Sequence, residues 1–286
     1  MRRPPPGGLL LCGCWILAGA SGLLAKIHLS DHGFRMSSAS ERIAIISDVH
    51  GNLTALEAVL DDIAARGIGR IFNLGDLVGK GPRSAEVVDR CRQTCEVVVQ
   101  GNWDADVSSD TRQRPAPRWH HQQLGPERNA YLANLPGSHD CIIGGWPARF
   151  FHASQISPFQ RVYENAPREV HRDMFSNTDF TGQGSQPKLV GYGDIHRPYV
   201  LDLDGQTLFN VGSVGNPLDQ PLACYCVIDA GSGEDQPSTW LLNFVRVAYD
   251  IEAELAFAKA SDMPDFEHYA TELRTAVYRG LSAYSV

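Results

Sequence analysis

Five short clusters of carboxylate, amide and imidazole side chains each follow an apolar stretch, and this recurrence limits the fold more than any other feature. In chain order the clusters occupy residues 47–52, 74–76, 100–104, 151–152 and 193–196. The run before the first cluster, residues 43–46, is apolar throughout, which is typical of a strand covered on both faces. Loops at the carboxyl ends of strands carry the sites of α/β folds, so we expect the clusters to share one edge.

The segments between the first three clusters have helical spacing. Leu53, Leu56, Val59, Leu60 and Ile63 recur on one helical face, and Gly67 is a plausible stop. Strands are predicted at residues 71–74 and 97–99, with a second helix at 84–91. Three strand, loop and helix units in succession predict a largely parallel sheet.

The residue types in the clusters suit divalent cations. No cysteine belongs to any cluster, which argues against a structural zinc cage built from thiolates. Two cations about 3.5–4 Å apart can bind a phosphoryl oxygen and lower the pKa of a bridging water toward roughly 7. One Asp-x-His or Gly-Asp alone would more often be a turn or cap. The ordered set therefore predicts a two-metal hydrolytic site with one shared carboxylate.

The five motifs, in this order, resemble the calcineurin-like metallophosphoesterase superfamily over residues 43–279, in its branch of small bacterial and archaeal phosphodiesterases. Residues 79–82, 210–217 and 246–250 extend the resemblance beyond the clusters. It implies an α/β fold of two packed mixed β-sheets flanked by helices, the α/β/β/α sandwich. It also implies hydrolysis of a phosphodiester or an activated phosphomonoester by a metal-bridging hydroxide.

The resemblance further implies which residues hold the metals. One ion would take Asp48, His50, Asp76 and His196. The other would take Asp76, Asn102, His152 and Asp194, so that Asp76 is the bridge. Asp48, Asp76 and Asn102 would be the catalytic residues. Mn²⁺ or Fe²⁺ is expected at the two positions, with Zn²⁺, Mg²⁺ or Ni²⁺ as alternatives.

Two positions depart from the family pattern. Trp103 stands where a histidine commonly protonates the leaving group or binds the phosphate, and a lost general acid costs about 10²–10⁴ in rate. Poor leaving groups should suffer most, although the resembled branch also tends to lack this histidine. Asp194 stands where the family has the first histidine of a Gly-His-x-His motif. Its negative charge should make the metal pair less electrophilic.

Asn52, Trp103 and Arg197 are the predicted substrate-binding residues. Asn52 could instead fix His50 or cap its loop, and Trp103 could simply be an aromatic wall. Lys80, Arg83 and Arg161 also flank the predicted site loops and are further candidates to bind phosphate. Asp104 could orient Asn102. The sequence places four other histidines in surface or loop positions: His120, His121, His139 and His171.

Charge and cysteine content limit the partners. The net charge of −8 and the pI near 5.7 give no general attraction to nucleic acid or anionic membrane, so we expect a small phosphate ester and no nucleic-acid duplex. Seven cysteines without regular spacing predict reduced thiols and a cytoplasmic location.

Residues 1–41 are predicted to be an N-terminal extension outside the core. Arg2, Arg3 and the apolar stretch at residues 9–25 resemble a signal peptide or short anchor, which would make the protein exported or membrane-anchored. A start at Met36 would instead be ordinary for a cytosolic protein, and this is the preferred interpretation.

Residues 42–286 are predicted to form a single domain with insertions near 105–140 and 153–187, which should set substrate choice. The first insertion has a short helical pattern at residues 128–135, and closing helices are expected from 251 onward, at residues 251–259 and 265–279. Strands expected at 189–192, 199–203, 206–211, 222–228 and 240–247 would form a second, more antiparallel sheet packed on the first.

Two other functions stay open. A phosphoprotein or dinucleoside polyphosphate phosphatase would use the same residues. A non-catalytic metal-bound scaffold is also compatible with Trp103 and Asp194. The other six metal-ligand candidates match the family pattern, which favours an enzyme, because loss of activity would be expected to remove some of them.

Overall fold

The computed structural model describes residues 41–109, 114–231 and 239–279, which form ten strands and seven helices. The strands are β1 (Glu41–Ile46), β2 (Arg70–Asn73), β3 (Val97–Val98), β4 (Ser138–Ile143), β5 (Trp146–Phe151), β6 (Leu189–Tyr192), β7 (Tyr199–Asp202), β8 (Thr207–Asn210), β9 (Ala223–Ala230) and β10 (Trp240–Val247). The helices are α1 (Leu53–Ala65), α2 (Ser84–Thr94), α3 (Asn102–Ser108), α4 (Pro115–Ala133), α5 (Arg168–Asp173), α6 (Ile251–Ala260) and α7 (Phe266–Thr275).

The strands form two mixed sheets of five strands each, in the orders β10-β9-β1-β2-β3 and β4-β5-β6-β8-β7. β1, β2 and β3 are parallel, as the strand, loop and helix pattern predicts. β9 runs antiparallel to β1, and β5, β6 and β8 are parallel to one another. The predicted fold class, two packed mixed sheets flanked by helices, is confirmed.

Alternation along β1 shows how the layers pack. Ile43 and Ile45 join an apolar cluster with Phe150 and Phe209 of the second sheet, so the two sheets face each other. Ala44 and Ile46 point the other way, into a cluster with α1 and α2. Both faces of the strand are covered, which explains its continuous apolar sequence.

The assignment of β9 and β10 to the second sheet was wrong. Both belong to the first sheet, where β9 lies between β10 and β1. The second sheet instead takes β4 and β5 from the segment before residue 152. Strand periodicity does not identify a strand's partner, because the pairing is set by contacts between residues distant in sequence.

Two predicted helices differ in extent. The helix expected around residues 128–135 begins much earlier, at Pro115, and is kinked at Gly125, whose φ of 69° is left-handed. The closing helix predicted at 265–279 ends at Thr275, because Ala276 adopts a left-handed φ of 55°.

The predictions for residues 1–40, a signal-like segment or a misassigned start, lie outside the described residues. In the part of the chain that the structure describes, no helix combines the length and apolar character needed to cross a bilayer.

Candidate metal centre

All five polar clusters lie on loops that leave strands at one edge of the two sheets, and hydrogen bonds tie these loops together. The Asp48 N–H donates to Gly75 O at 2.9 Å, and the His50 N–H donates to Asp76 O at 2.9 Å. From the loop after β8, the Gly215 N–H donates to Asp48 O at 3.0 Å. The loops that follow β1, β2 and β8 therefore meet at Asp48.

Five of the seven predicted metal ligands have left-handed backbone, a conformation that costs a non-glycine residue roughly 1–2 kcal/mol. They are Asp48 (φ 54°), His50 (φ 50°), Asp76 (φ 55°), Asp194 (φ 66°) and His196 (φ 58°). Such strain collects at functional sites, where the surrounding hydrogen bonds hold it. Here it turns carboxylates and imidazoles from separate loops toward one point.

Two glycines in the clusters permit the close approach. A Cβ on Gly101 would lie 2.2 Å from Asp76 Oδ1, and one on Gly193 would lie 2.5 Å from Asp48 Oδ2. No side chain fits at these distances. The glycine before Asn102 and the glycine before Asp194 are therefore required by the packing of the loops.

Asp48, His50 and His196 form the first group of converging ligand atoms. Asp48 Oδ1 lies 3.2 Å from His196 Nε2 and 3.7 Å from His50 Nε2. Asp48 Oδ2 accepts hydrogen bonds from Ser47 Oγ and the Asp194 N–H, whereas Oδ1 is buried without a hydrogen-bond partner. The free oxygen is the one that faces the two imidazoles.

Asp76 lies between the first group and His152. Its Oδ2 is 3.5 Å from His50 Nε2, and its Oδ1 is 3.5 Å from His152 Nε2. Each oxygen of this one carboxylate therefore faces a different histidine, which is the arrangement expected of a bridging ligand. Asp48, Asp76 and His152 form the second converging group.

Asn102 completes this side of the site at the first residue of α3. Its amide lies 3.1 Å from His152 Nε2. With the amide nitrogen turned inward it would donate to Asp76 Oδ2 at 3.0 Å, whereas a cation would be bound by its oxygen. The position suits either use.

The electrostatics of the cluster show an excess of buried negative charge. Burial, with the charges of Asp48 and Asp104, raises the pKa of Asp76 well above its usual range. Burial lowers the pKa of His152, but the carboxylates of Asp76, Asp48 and Asp194 outweigh it and raise that pKa to about 9. Burial and the charges of Lys80 and His196 lower the pKa of His50.

The residues fit divalent cations. His50 and His196 each direct Nδ1 at a backbone carbonyl, of Val78 and Asn216, so in the neutral imidazoles Nδ1 donates and both Nε2 atoms carry lone pairs. Those two nitrogens lie only 3.2 Å apart and next to the unpartnered Asp48 Oδ1. Lone pairs directed at one another repel, and a cation between them removes the repulsion.

Asp194 occupies the margin of the cluster. Its Oδ1 lies 3.8 Å from His152 Nε2, and it belongs to neither converging group. Both of its oxygens accept hydrogen bonds from Arg161, at 2.6 and 2.8 Å. The prediction that Asp194 is a metal ligand stays a prediction. The pairing of Asp194 with Arg161 has no signature in the sequence.

Asp104 has a different role from the predicted one, because it holds backbone rather than the Asn102 side chain. Its Oδ2 accepts from the N–H of Asp76 at 2.8 Å and of Gly101 at 3.0 Å. Its Oδ1 accepts from the Leu77 N–H at 2.9 Å. The buried carboxylate thus fixes the loop that carries the bridging candidate.

Asn52 is a correction among the predicted substrate-binding residues. Its Oδ1 accepts from the Ala55 N–H and caps α1, and its Nδ2 donates to Gly215 O and Tyr249 Oη. The side chain is fully buried. Both amide hydrogens and the oxygen are in use, so none is left for a substrate.

Trp103 and Arg197, the other two predicted substrate-binding residues, line a pocket of about 1180 Å³ that opens onto Asp76 and His196. Trp103 stands edge-on to His50, with ring centroids 5.9 Å apart. Both predicted insertions contribute to the wall, through residues 114–117 of the first and residues 161 and 163–165 of the second.

Three of the four candidate phosphate-binding cations, Lys80, Arg161 and Arg197, reach this pocket. Arg83 does not, because it is paired with the buried Glu254. Two of the four histidines assigned to the surface are also corrections. His120 is 1% exposed and bonded to Ser84 Oγ, and His171 is 3% exposed.

Comparison with known proteins gives one consistent result. Residues 42–233 match the calcineurin-like phosphoesterase superfamily domain. The uncharacterized protein MJ0912 of Methanocaldococcus jannaschii is 34% identical over 233 residues, which cover 73% of this chain and 88% of that protein. The phosphodiesterase YfcE of Escherichia coli is 25% identical over 201 residues, or 66% of this chain and 87% of that protein.

Among solved structures, a metallophosphoesterase from Sphaerobacter thermophilus is similar with a TM-score of 0.66 and 30% identity. The match covers 84% of this chain and all of the other.

Proposed function

Because the chain belongs to the calcineurin-like phosphoesterase superfamily, we propose that it hydrolyses a phosphodiester or an activated phosphomonoester with the aid of two divalent cations. The observation that carries the proposal is the Asp76 carboxylate, whose two oxygens face His50 and His152 at 3.5 Å each. Asp48, His50, Asp76 and His196 would hold one cation. Asp76, Asn102 and His152, with Asp194, would hold the other.

When bound, the cations supply Lewis acidity that makes a water nucleophilic at neutral pH and neutralises charge on the phosphoryl group. The ligand set of carboxylate, amide and imidazole suits Mn²⁺ or Fe²⁺. The left-handed backbone at five of the ligand candidates, together with the hydrogen bonds that Asp104 accepts, fixes the positions of the ligand side chains. Arg197 and Lys80, the latter paired with the buried Glu272, line the pocket that opens beside the ligand candidates.

Trp103 bears on the substrate class. An indole has no proton to give a leaving group at neutral pH, and it lies at the mouth of the site beside His50. Substrates whose leaving group needs no protonation should therefore react best, which favours diesters of acidic alcohols and activated monoesters.

The proposal is tested with bis-p-nitrophenyl phosphate and p-nitrophenyl phosphate in the presence of Mn²⁺. Wild type should hydrolyse at least one of them, and chelation or Asp76→Asn should abolish the reaction. Asp89→Asn, which changes a half-buried carboxylate of α2 that is paired with Arg128 and lies outside the pocket, is the matched control and should keep full activity. Absence of metal-dependent hydrolysis in wild type would favour a non-catalytic scaffold.

A further inference from the structure

Arg161 makes a bidentate ion pair with a carboxylate of the metal centre. Its Nε lies 2.8 Å from Asp194 Oδ2, and its Nη2 lies 2.6 Å from Asp194 Oδ1. The Asp194 side chain is 3% exposed, so the pair is shielded on the carboxylate side, while Arg161 itself is 43% exposed at the pocket wall. Two parallel charge-assisted hydrogen bonds of this kind fix both partners.

The same carboxylate faces the predicted second cation. Asp194 Oδ1 lies 3.8 Å from His152 Nε2, close enough for one ion to contact both atoms. The Asp194 N–H also donates to Asp48 Oδ2 at 3.1 Å, which ties the residue to the first cation group. Asp194 is therefore held from two sides, by Arg161 and by Asp48.

Charge explains why such a pair is useful here. Asp48, Asp76 and Asp194 bring three carboxylates to the site, and Arg161 is the group that contacts the third of them. A carboxylate donates more negative charge to a cation than a neutral ligand does and makes that cation less electrophilic. A guanidinium bound to both carboxylate oxygens withdraws part of that charge.

We propose that Arg161 is a positioning residue that balances the charge of Asp194, so that the ion pair acts toward the second cation as a neutral ligand would. The inference rests on the proposed two-cation site and on the bidentate contact. Such a charge balance explains how a carboxylate can lie beside His152 without adding a full negative charge to the ligand set. It also makes opposite predictions for the two partners.

The test is calorimetric titration of the full-length, chelator-treated chain with Mn²⁺. Arg161→Met removes a positive charge beside the second cation. The affinity for that cation should rise by about tenfold, because like charges at this distance repel strongly. Asp194→Asn leaves the guanidinium without its carboxylate, and the affinity for the second cation should fall by at least about tenfold. The Mn²⁺ affinity of the double variant Arg161→Met/Asp194→Asn should lie between those of the two single variants.

Two further variants serve as controls. Arg161→Lys keeps the charge and should return the affinity to within about twofold of wild type. Arg168→Met lies in the same segment but breaks an exposed pair with Asp204, and it should leave Mn²⁺ binding unchanged. The double variant, which leaves no unpaired charge, keeps the test valid if one of the single variants fails to fold.

Unchanged Mn²⁺ affinity in Arg161→Met, together with weaker inhibition by inorganic phosphate, would make Arg161 a substrate ligand and overturn the proposal. Failure of Arg161→Lys to restore the affinity would also overturn it. The titration measures ion binding and does not require the protein to hydrolyse a substrate. A chain that shows these affinity changes but hydrolyses nothing would refute the proposed function and leave the charge balance standing.

Discussion

His50 and His196 place their Nε2 atoms 3.2 Å apart, and each ring has committed its other nitrogen to a backbone carbonyl. The unpartnered Asp48 Oδ1 completes a triangle of lone pairs. Hydrogen bonding within the protein does not satisfy these three atoms together, whereas one dication would.

Replacing His196 should remove this first cation. In His196→Gln the thermal stabilisation by Mn²⁺ should fall to about half that of wild type, in which each site saturated at 100 times Kd contributes about 2.7 kcal/mol. Thermal unfolding with and without Mn²⁺ measures the difference. His268→Gln, an exposed change on α7, is the control. A full Mn²⁺ shift in His196→Gln would show that the triangle binds no ion.

Asp104→Asn should damage the site without touching a ligand. The carboxylate accepts backbone hydrogen bonds from Asp76, Leu77 and Gly101, and the amide would direct donor hydrogens at some of them. We expect a loss of roughly 3 kcal/mol in unfolding free energy and a lower kcat. Urea unfolding and steady-state kinetics measure the two effects. Unchanged stability would refute the assigned role.

Trp103→His should change the dependence of rate on the leaving group. A histidine here could protonate an alkoxide, so hydrolysis of phenyl phosphate should rise by about tenfold or more relative to p-nitrophenyl phosphate. The ratio of the two kcat/KM values is the measurement, because loss of the indole's packing on Gly79 would lower both alike. An unchanged ratio would mean that position 103 does not contact the leaving group.

His120 should make the fold sensitive to mild acid. Burial lowers its pKa from 6.5 to about 4, so below pH 6.5 the unfolded chain binds a proton that the folded chain excludes. Stability is therefore lost as the pH falls from 6.5 toward 4, by about 1 kcal/mol at pH 5.5.

The comparison that isolates this effect is wild type against His120→Gln, both with chelator, in urea unfolding at pH 7.5 and 5.5. The variant should be less stable at pH 7.5 but lose about 1 kcal/mol less on acidification. Equal losses in both chains would contradict a buried neutral His120.

Most of the strands and the site loops could be predicted from local pattern, because apolar runs ending in polar clusters report burial and chain reversal directly. β4, whose sequence is half polar, was not predicted. β6 and β10 match their predicted bounds. The partner of β9 could not be found in this way, although its apolar sequence from Ala223 to Ile228 resembles that of the central strand β1. That continuous run was the available signal for a central position.

The site was less predictable where side chains act on each other across the fold. The order of the motifs predicted that Asp48, His50, Asp76, His152 and His196 lie together, as they do in the structure. The pairing of Arg161 with Asp194 depends on how the loop after β5 folds back, and nothing in the spacing of those two residues encodes it. Asn52 and Asp104 are predicted to be site residues, but apart from Tyr249 Oη their hydrogen-bond partners are backbone groups, which the sequence does not distinguish.

The most direct test of the account is electron paramagnetic resonance of the chain loaded with two equivalents of Mn²⁺. If the Asp76 carboxylate joins two ions, wild type should bind both and give the spectrum of an exchange-coupled pair, and Asp76→Asn should give only isolated Mn²⁺. A wild-type chain that binds a single ion, or two ions without coupling, would contradict the shared carboxylate.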